Sequence, residues 1–310
     1  MAAKTIAIMS PGDMGHKVGA YARSLGLGTV TALDGRSEVT RMRAARAGFE
    51  DLGNLAAAAG AADILLCILP PERAGAFADD AIAAMAGSDN PPLYVDCNAI
   101  SPVTTQAIAE KFTAAGLPFA NAGIIGSPPG GAQPTKFYAS GALAGALDIL
   151  DGDGISVRQM GPDIVRASAI KMCYAGLTKG VMTLHTAVLL AGEMLGIQDE
   201  LAAEFAASQK FHWEGMGRRV PFLAANAGRW AGEMDEIAET LASVGLTGNM
   251  HKGAAEVFRF LDATPLGRET PESLDRTRSL ADTMKIYRAA LERRQREDRG
   301  EDRGENKAAE

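Results

Sequence analysis

The chain has 310 residues, 47% hydrophobic and 22% charged, with a formal net charge of −7. That length holds one large or two ordinary domains, each with a core of its own, and the acidic balance lacks the basic footprint of a nucleic-acid-binding protein. Cys67, Cys97 and Cys173 lie far apart without metal-ligand spacing, which fits a reducing compartment and no metal site. With no secretory leader pattern and no apolar run of membrane-spanning length, the expectation is a cytoplasmic protein whose partner is neither membrane nor nucleic acid.

The segment from Met1 to Gly28 reads as a strand over Thr5–Met9, a turn Ser10-Pro11-Gly12-Asp13-Met14-Gly15, and a helix with Val18, Tyr21, Ala22 and Leu25 at helical spacing. Gly12 would let the backbone approach a pyrophosphate, and Gly15 would let the helix pack on the strand. The helix N-terminus then offers N–H groups and a positive dipole end to the anion. In this strand–turn–helix context a dinucleotide site outweighs a purely structural tight turn. A second strand, Thr29–Leu33, ends at Asp34, and Ser37 caps a helix through Ala47. Asp63–Leu69 is a continuous apolar strand, as a sheet buried on both faces requires, and Pro70-Pro71 stops it. Leu93–Cys97 is the next strand, and Ser101-Pro102 starts a helix. Phe119–Ile125, Lys136–Ala139 and Val157–Met160 add strands, with a boundary near Gly161-Pro162.

Residues 1–163 are therefore expected to form an α/β Rossmann-type doubly wound sheet. From Ile164 helical patterns take over, at 164–195, 199–212, 231–244, 251–261 and 271–295. They predict an all-α domain over 164–295, joined to the first by one long interdomain helix. Residues 296–310 interleave charges without an apolar stripe and read as a disordered tail.

Asp34 stands where a carboxylate would hold the adenosine ribose hydroxyls and favour NAD. Arg36 and Ser37 would instead cradle a 2′-phosphate, and the Gly35-Arg36-Ser37 string tips the expectation toward NADP. The bland alternative is a turn and a helix cap. Later loops belong at the same carboxyl edge of the sheet, which places Leu69 and Pro70 on the cofactor. Asn98 suits a carboxamide or a substrate hydroxyl, or else an Asx-turn. The Asn121–Gly131 loop, with Gly123, Ile124 and Ser127, presents backbone N–H groups to a small-molecule substrate, or is an ordinary surface connection. In Ser168–Gly180, Lys171 and Lys179 sit among apolar and small residues. A desolvated lysine exchanges protons readily. Eight positions on a helix separate two side chains by about 12 Å and roughly 80°, so the two lysines serve different atoms. Lys179 would meet a distal anion, a carboxylate or a subunit interface; alternatively both lysines snorkel from a helix edge.

These residues together resemble the β-hydroxyacid dehydrogenase superfamily, which includes 3-hydroxyisobutyrate and 6-phosphogluconate dehydrogenases. The chain is most similar to the branch carrying a phosphogluconate-dehydrogenase-like C-terminal domain. Gly12-Asp13-Met14-Gly15 matches the family's G-x-M-G, and Asp96–Pro102 its D-x-S-T-x-S-P with Asn98 and Ala99 for Ser and Thr. The Asn121 loop stands in the place of D-A-P-V-S-G-G, and Lys171-Met172 matches the K-[LIM] at the head of the interdomain helix. The resemblance implies an NAD(P)-dependent dehydrogenase with Lys171 as general acid/base. Asn98, Gly123, Ile124, Ser127, Tyr174, Lys179 and His251 are then expected at the substrate, and two chains in the active particle. His251 also reads as a capping or packing residue. Three departures stand out: Ser10 replaces the first glycine, Ala175 the family's substrate-binding Asn, and Ile125 the serine of V-S-G-G, for which Ser127 substitutes by a shift. They keep two alternatives open, an imine reductase-like enzyme and a non-catalytic NAD(P)-binding sensor.

Overall fold

The computed structural model describes residues 4–9, 11–270 and 273–300. Short apolar runs bounded by glycine, proline and acidic residues become strands. They are β1 (Thr5–Met9), β2 (Gly28–Thr31), β3 (Glu50–Asp51), β4 (Ile64–Cys67), β5 (Leu93–Asp96), β6 (Phe119–Ile125), β7 (Thr135–Ser140) and β8 (Ile155–Gln159). They form one sheet in the order β3-β2-β1-β4-β5-β6-β7-β8, parallel except where β6 meets β7. The intervening helices are α1 (Asp13–Ser24), α2 (Glu38–Ala47), α3 (Leu55–Gly60), α4 (Ala74–Met85) and α5 (Pro102–Ala114).

Two apolar clusters fill the two faces, which is why the central strands are mostly apolar runs rather than alternating. One gathers Ile6, Ile8, Leu66 and Val95, and the other Ala7, Met9, Leu65 and Tyr94. Tyr94 stacks with Phe112 and Phe119 at ring separations of 4.4 and 5.8 Å. The two-residue β3 was not expected; Glu50 and Asp51 are exposed and acidic, they pair with Val30 and Thr31, and Asp51 Oδ1 also accepts from Leu33 N at 3.1 Å.

The remaining helices are α6 (Arg166–Leu195), α7 (Gln198–Ser208), α8 (Lys210–Arg219), α9 (Ala224–Ser243), α10 (Asn249–Asp262) and α11 (Leu280–Asp298). The stretch expected as one helix over 199–212 is two, broken at Gln209, whose ψ of 42° is not helical. The expected helix at 271 starts only at Leu280, where Ser279 caps it by accepting from Asp282 N. At its other end α11 runs to Asp298, so 296–298 are helix rather than tail. Arg288 and Glu292 pair one turn apart at 2.9 Å, and Arg293 and Glu297 at 3.6 Å, which lets an all-polar surface stay helical. Residues 301–310 lie outside the described residues.

The chain divides into two compact units, Met1–Tyr174 with Glu239–Gly248, and Ala175–Ala238 with Asn249–Glu310. The division falls inside α6 rather than at residue 163. The first turns of α6 are bonded to the sheet: Ser140 Oγ donates to Ile164 O and accepts from Ala167 N. Among the described residues no helix is long and apolar enough to cross a membrane, and no group of three or more His, Cys, Asp or Glu is placed to hold a metal.

Candidate active site

Strands β1, β4, β5 and β6 run parallel with Met9 beside Cys67, Cys67 beside Asp96 and Asp96 beside Asn121, so their following loops share one edge. At that edge Gly12 is the N-cap of α1, and among the described residues no side chain caps the helix. By contrast, Ser37 caps α2 and Ser101 caps α5. An uncapped N-terminus of a three-turn helix leaves first-turn N–H groups and the positive dipole end for an anion. Pro11 and Gly15 are buried, and Gly12, Asp13 and Met14 are half-buried. Ser10, expected in the same turn, lies outside the described residues.

Asp34 is exposed just past β2, its N–H donating to Gly53 O at 3.0 Å. A Cβ on Gly53 would come within 3.5 Å of the Asp34 carboxylate. Ser37 Oγ is committed to capping, accepting from Thr40 N at 3.3 Å, so the cap reading of Ser37 holds in its own right. Burial and the Asp96 carboxylate push the Cys67 thiol far up, and the Arg36 guanidinium works against them. Sequence reasoning missed Arg41, whose guanidinium donates to Leu33 O at 2.5 Å and to Arg36 O at 3.3 Å, ordering this loop from one turn into α2. Its signal was a cation four residues after a helix cap. The glycine cap, the acidic strand end and the neighbouring arginine fit the pyrophosphate and ribose of a dinucleotide.

Asn98 calls for a correction. It is 2% exposed, and its amide is occupied inside the protein. Oδ1 accepts from Leu69 N at 2.6 Å, and Nδ2 donates to Asp96 Oδ2 and Cys67 Sγ, each at 3.2 Å. It ties the Leu69-Pro70 loop to the end of β5 instead of offering donors to a carboxamide or hydroxyl. The Asx-turn beside it belongs to Asp96, whose Oδ1 accepts from Asn98 N at 2.8 Å.

Lys171 is half-buried on α6, and its Nζ donates to Ile124 O at 2.7 Å, near the carboxyl end of β6. Gly123 is beside it for a packing reason rather than for its N–H: a Cβ there would stand 2.3 Å from Ala167 O and 3.0 Å from Lys171 Cβ. The glycine lets β6 approach α6 closely enough for the lysine to reach the next carbonyl. Ile125 is buried, whereas Ser127 is exposed and its carbonyl accepts from Thr135 Oγ1 at 2.6 Å. Tyr174 is exposed one turn after Lys171.

Lys179 and His251 belong to the second unit. The carboxylate that Lys179 meets is the chain's own Glu233, and its Nζ lies 5.4 Å from the centre of the Trp230 ring. Both members of the pair are buried, so Lys179 closes α6 on α9 rather than awaiting a substrate anion. His251 Nε2 is 3.1 Å from Gly176 O, on the wall of an apolar cavity of about 520 Å³ that also includes Leu177, Gly180, Leu184 and Met250.

Comparisons with known proteins agree with this architecture. A domain family of unknown function, DUF1932, matches residues 193–261. An uncharacterized 28.5 kDa protein of Methanothermus fervidus is 28% identical over 171 residues, 55% of this chain; the match spans 64% of that relative's length. A conserved protein of unknown function, whose structure reveals similarity with 3-hydroxyacid dehydrogenases, superimposes with a TM-score of 0.61 at 25% identity, over 83% of this chain and 96% of its own. Mycobacterium tuberculosis 3-hydroxyisobutyrate dehydrogenase, solved with L-serine, gives a TM-score of 0.66 at 18% identity over 92% and 99%. A Streptomyces aurantiacus imine reductase gives 0.52 at 17% over 91% and 99%. The last two likenesses speak for the fold.

Proposed function

We propose that this chain, which shares the fold and motifs of the β-hydroxyacid dehydrogenases, is a member of that superfamily and an NAD(P)-dependent oxidoreductase acting on a small hydroxy acid or sugar-acid alcohol. The observation that carries the reading is Lys171, half-buried beside the carboxyl end of β6 with its Nζ held on Ile124 O at 2.7 Å. It shares its unit with the uncapped N-terminus of α1. A nicotinamide bound at that edge supplies the hydride acceptor or donor.

The protein's part is proton transfer at the substrate oxygen. In oxidation, neutral Lys171 accepts the hydroxyl proton at Nζ; in reduction, the ammonium returns it to the carbonyl oxygen. The Ile124 carbonyl orients Nζ, and Gly123 keeps the strand close to the helix. Buried Ile125 supplies no hydroxyl where the resembled family has serine, so the substrate's acid group is gripped by other groups, with Ser127 and Tyr174 the exposed polar side chains at hand. Arg36 at the sheet edge favours NADP, and Asp34 favours NAD. The lysine, matched to the family's hydroxyl chemistry, favours an alcohol over an imine. The working particle is a homodimer, supported by exposed Leu177 and Leu184 on α6.

Fluorescence titration with NADH and NADPH, on native protein, Arg36→Ala and Lys171→Ala, tests this reading. NADPH is expected to bind more tightly, with the preference lost in Arg36→Ala. Lys171→Ala is expected to keep cofactor affinity within about twofold while kcat falls by about a hundredfold or more. Near-native turnover in Lys171→Ala, or binding of neither nucleotide, overturns the proposal.

A further inference from the structure

Three buried polar side chains form a hydrogen-bonded line into the first turns of α6, and the proposed proton transfer does not use them. Asn121 on β6, Ser168 on α6 and Thr105 on α5 are each 0 or 1% exposed. Asn121 Nδ2 donates to Ile164 O at 3.0 Å and to Ser168 Oγ at 2.8 Å. Thr105 Oγ1 lies 2.6 Å from Ser168 Oγ and donates to Ser101 O at 2.9 Å.

Both ends of the line are fixed by groups that cannot exchange roles. The Ile164 carbonyl only accepts, so the Asn121 amide must turn its NH₂ that way, and the Ser101 carbonyl only accepts, so the one hydroxyl proton of Thr105 goes there. Ser168 therefore donates to Thr105, and the polarity runs Asn121 → Ser168 → Thr105 → Ser101. At the far end Ser101 Oγ caps α5, accepting from Thr104 N at 3.0 Å, and donates to Glu239 Oε2 at 2.6 Å. All these residues lie in the first unit.

Ser168 and Lys171 are three apart on a helix, hence on one face, and β6 runs along that face. Asn121 bonds Ser168, Gly123 abuts Ala167 and Lys171, and Ile124 O accepts a hydrogen bond from Lys171 Nζ. A rotation of the first turn of α6 would carry Nζ off the Ile124 carbonyl, and the line through Ser168 resists that rotation from both sides. We propose that Thr105 is a positioning residue, which through Ser168 fixes the rotation of α6 and so the placement of the Lys171 amine. The proposal deepens the function proposed above and rests on it for its catalytic consequence. The placement of Lys171 itself stands on geometry alone. A hydroxyl at position 105 is required, and its γ-methyl is not.

The test compares Thr105→Val, which keeps the shape, with Thr105→Ser, which keeps the hydroxyl. Protein labelled with ¹³C-lysine gives a Lys171 resonance, identified by its loss in Lys171→Arg. The expected result is a displaced Lys171 signal and titration midpoint in Thr105→Val and native values in Thr105→Ser. With a substrate in hand, kcat falls about tenfold to a hundredfold in Thr105→Val, with cofactor Kd within about twofold, and recovers in Thr105→Ser. Should Thr105→Val fail to fold, Ser168→Ala cuts the same line from the α6 side and is expected to displace the same signal. An unmoved Lys171 resonance in a folded Thr105→Val or Ser168→Ala protein overturns the proposal. A moved resonance with turnover surviving in Lys171→Ala would instead uphold the positioning and overturn the proton-transfer role.

Discussion

At Gly123 one missing carbon decides what a neighbouring lysine can do. Its backbone is not in the left-handed region; the requirement is close approach, because a Cβ would collide with Ala167 O at 2.3 Å. The main chain of α6 cannot yield there without moving Ser168 and Lys171, both bonded to β6. Gly123→Ala is therefore expected to destabilise the first unit by about 1–3 kcal/mol, as overpacking does, read as a lowered urea midpoint at unchanged slope. It should also lower turnover while leaving dinucleotide binding at the α1 edge. The glycine's presence in the loop was legible from the sequence, but its reason was not. The sequence reading assigned it exposed N–H groups, and what it provides is contact between a strand and a helix over 40 residues away. Asn98 teaches the same lesson: its residue type permits ligand binding, and only the position of Leu69 N shows that the amide is already occupied.

Among the elements, α6 carries the most chemistry, with 30 residues that belong to the first unit as far as Tyr174 and to the second from Ala175. In the second unit it is fastened by the buried Lys179–Glu233 pair, under the Trp230 ring. Removing one member leaves the other charged, buried and unpaired, which costs about 3–5 kcal/mol. Glu233→Ala should show that loss in thermal or urea unfolding. The double variant Lys179→Met with Glu233→Leu should recover most of it, since apolar replacement of a buried pair is often neutral or better. A Glu233→Ala protein of native stability would mean that the pair is solvated and closes nothing. Helix extents followed from local pattern where an amphipathic stripe or a cap was present, as with Ser37 and the glycine after α2. They failed at Gln209, where no glycine or proline announces the break between α7 and α8, and at 273–279, where a helical-looking run is loop. There the buried Arg278 guanidinium, bonded to Glu269 and to Pro221 O, holds the chain in place before α11 begins.

For the whole molecule, the described residues of the second unit expose an apolar face. Leu177 is 70% and Leu184 60% exposed on α6, and Met250 on α10 is 69% exposed, around an apolar cavity of about 520 Å³. Isolated exposed apolar residues are ordinary, but a contiguous set at helical spacing marks an association surface. Sedimentation equilibrium is expected to give the mass of two chains, and Leu177→Glu with Leu184→Glu to give one. Monomeric native protein would remove the dimer from the proposed function. A dimer unaffected by both changes would place the interface elsewhere.

The largely parallel sheet, the glycine turn between β1 and α1 and the long helix were legible in the sequence, because each depends on spacing within one or two elements. Four apolar residues in a row require a sheet covered on both faces, and a glycine turn between strand and helix is written in consecutive residues. Pairing depends on residues far apart in the chain, and no local spacing encodes it. Lys179 and Glu233 are 54 residues apart, Lys171 and Ile124 are 47 apart, and Thr105 and Ser168 are 63 apart. The sequence singled out Lys171 for proton chemistry through its resemblance and left Lys179 to a distal anion, a carboxylate or an interface. Folding set Lys171 on the Ile124 carbonyl at the sheet edge and buried Lys179 against Glu233, so the tertiary structure decided the partners, which lie too far along the chain for local spacing to name.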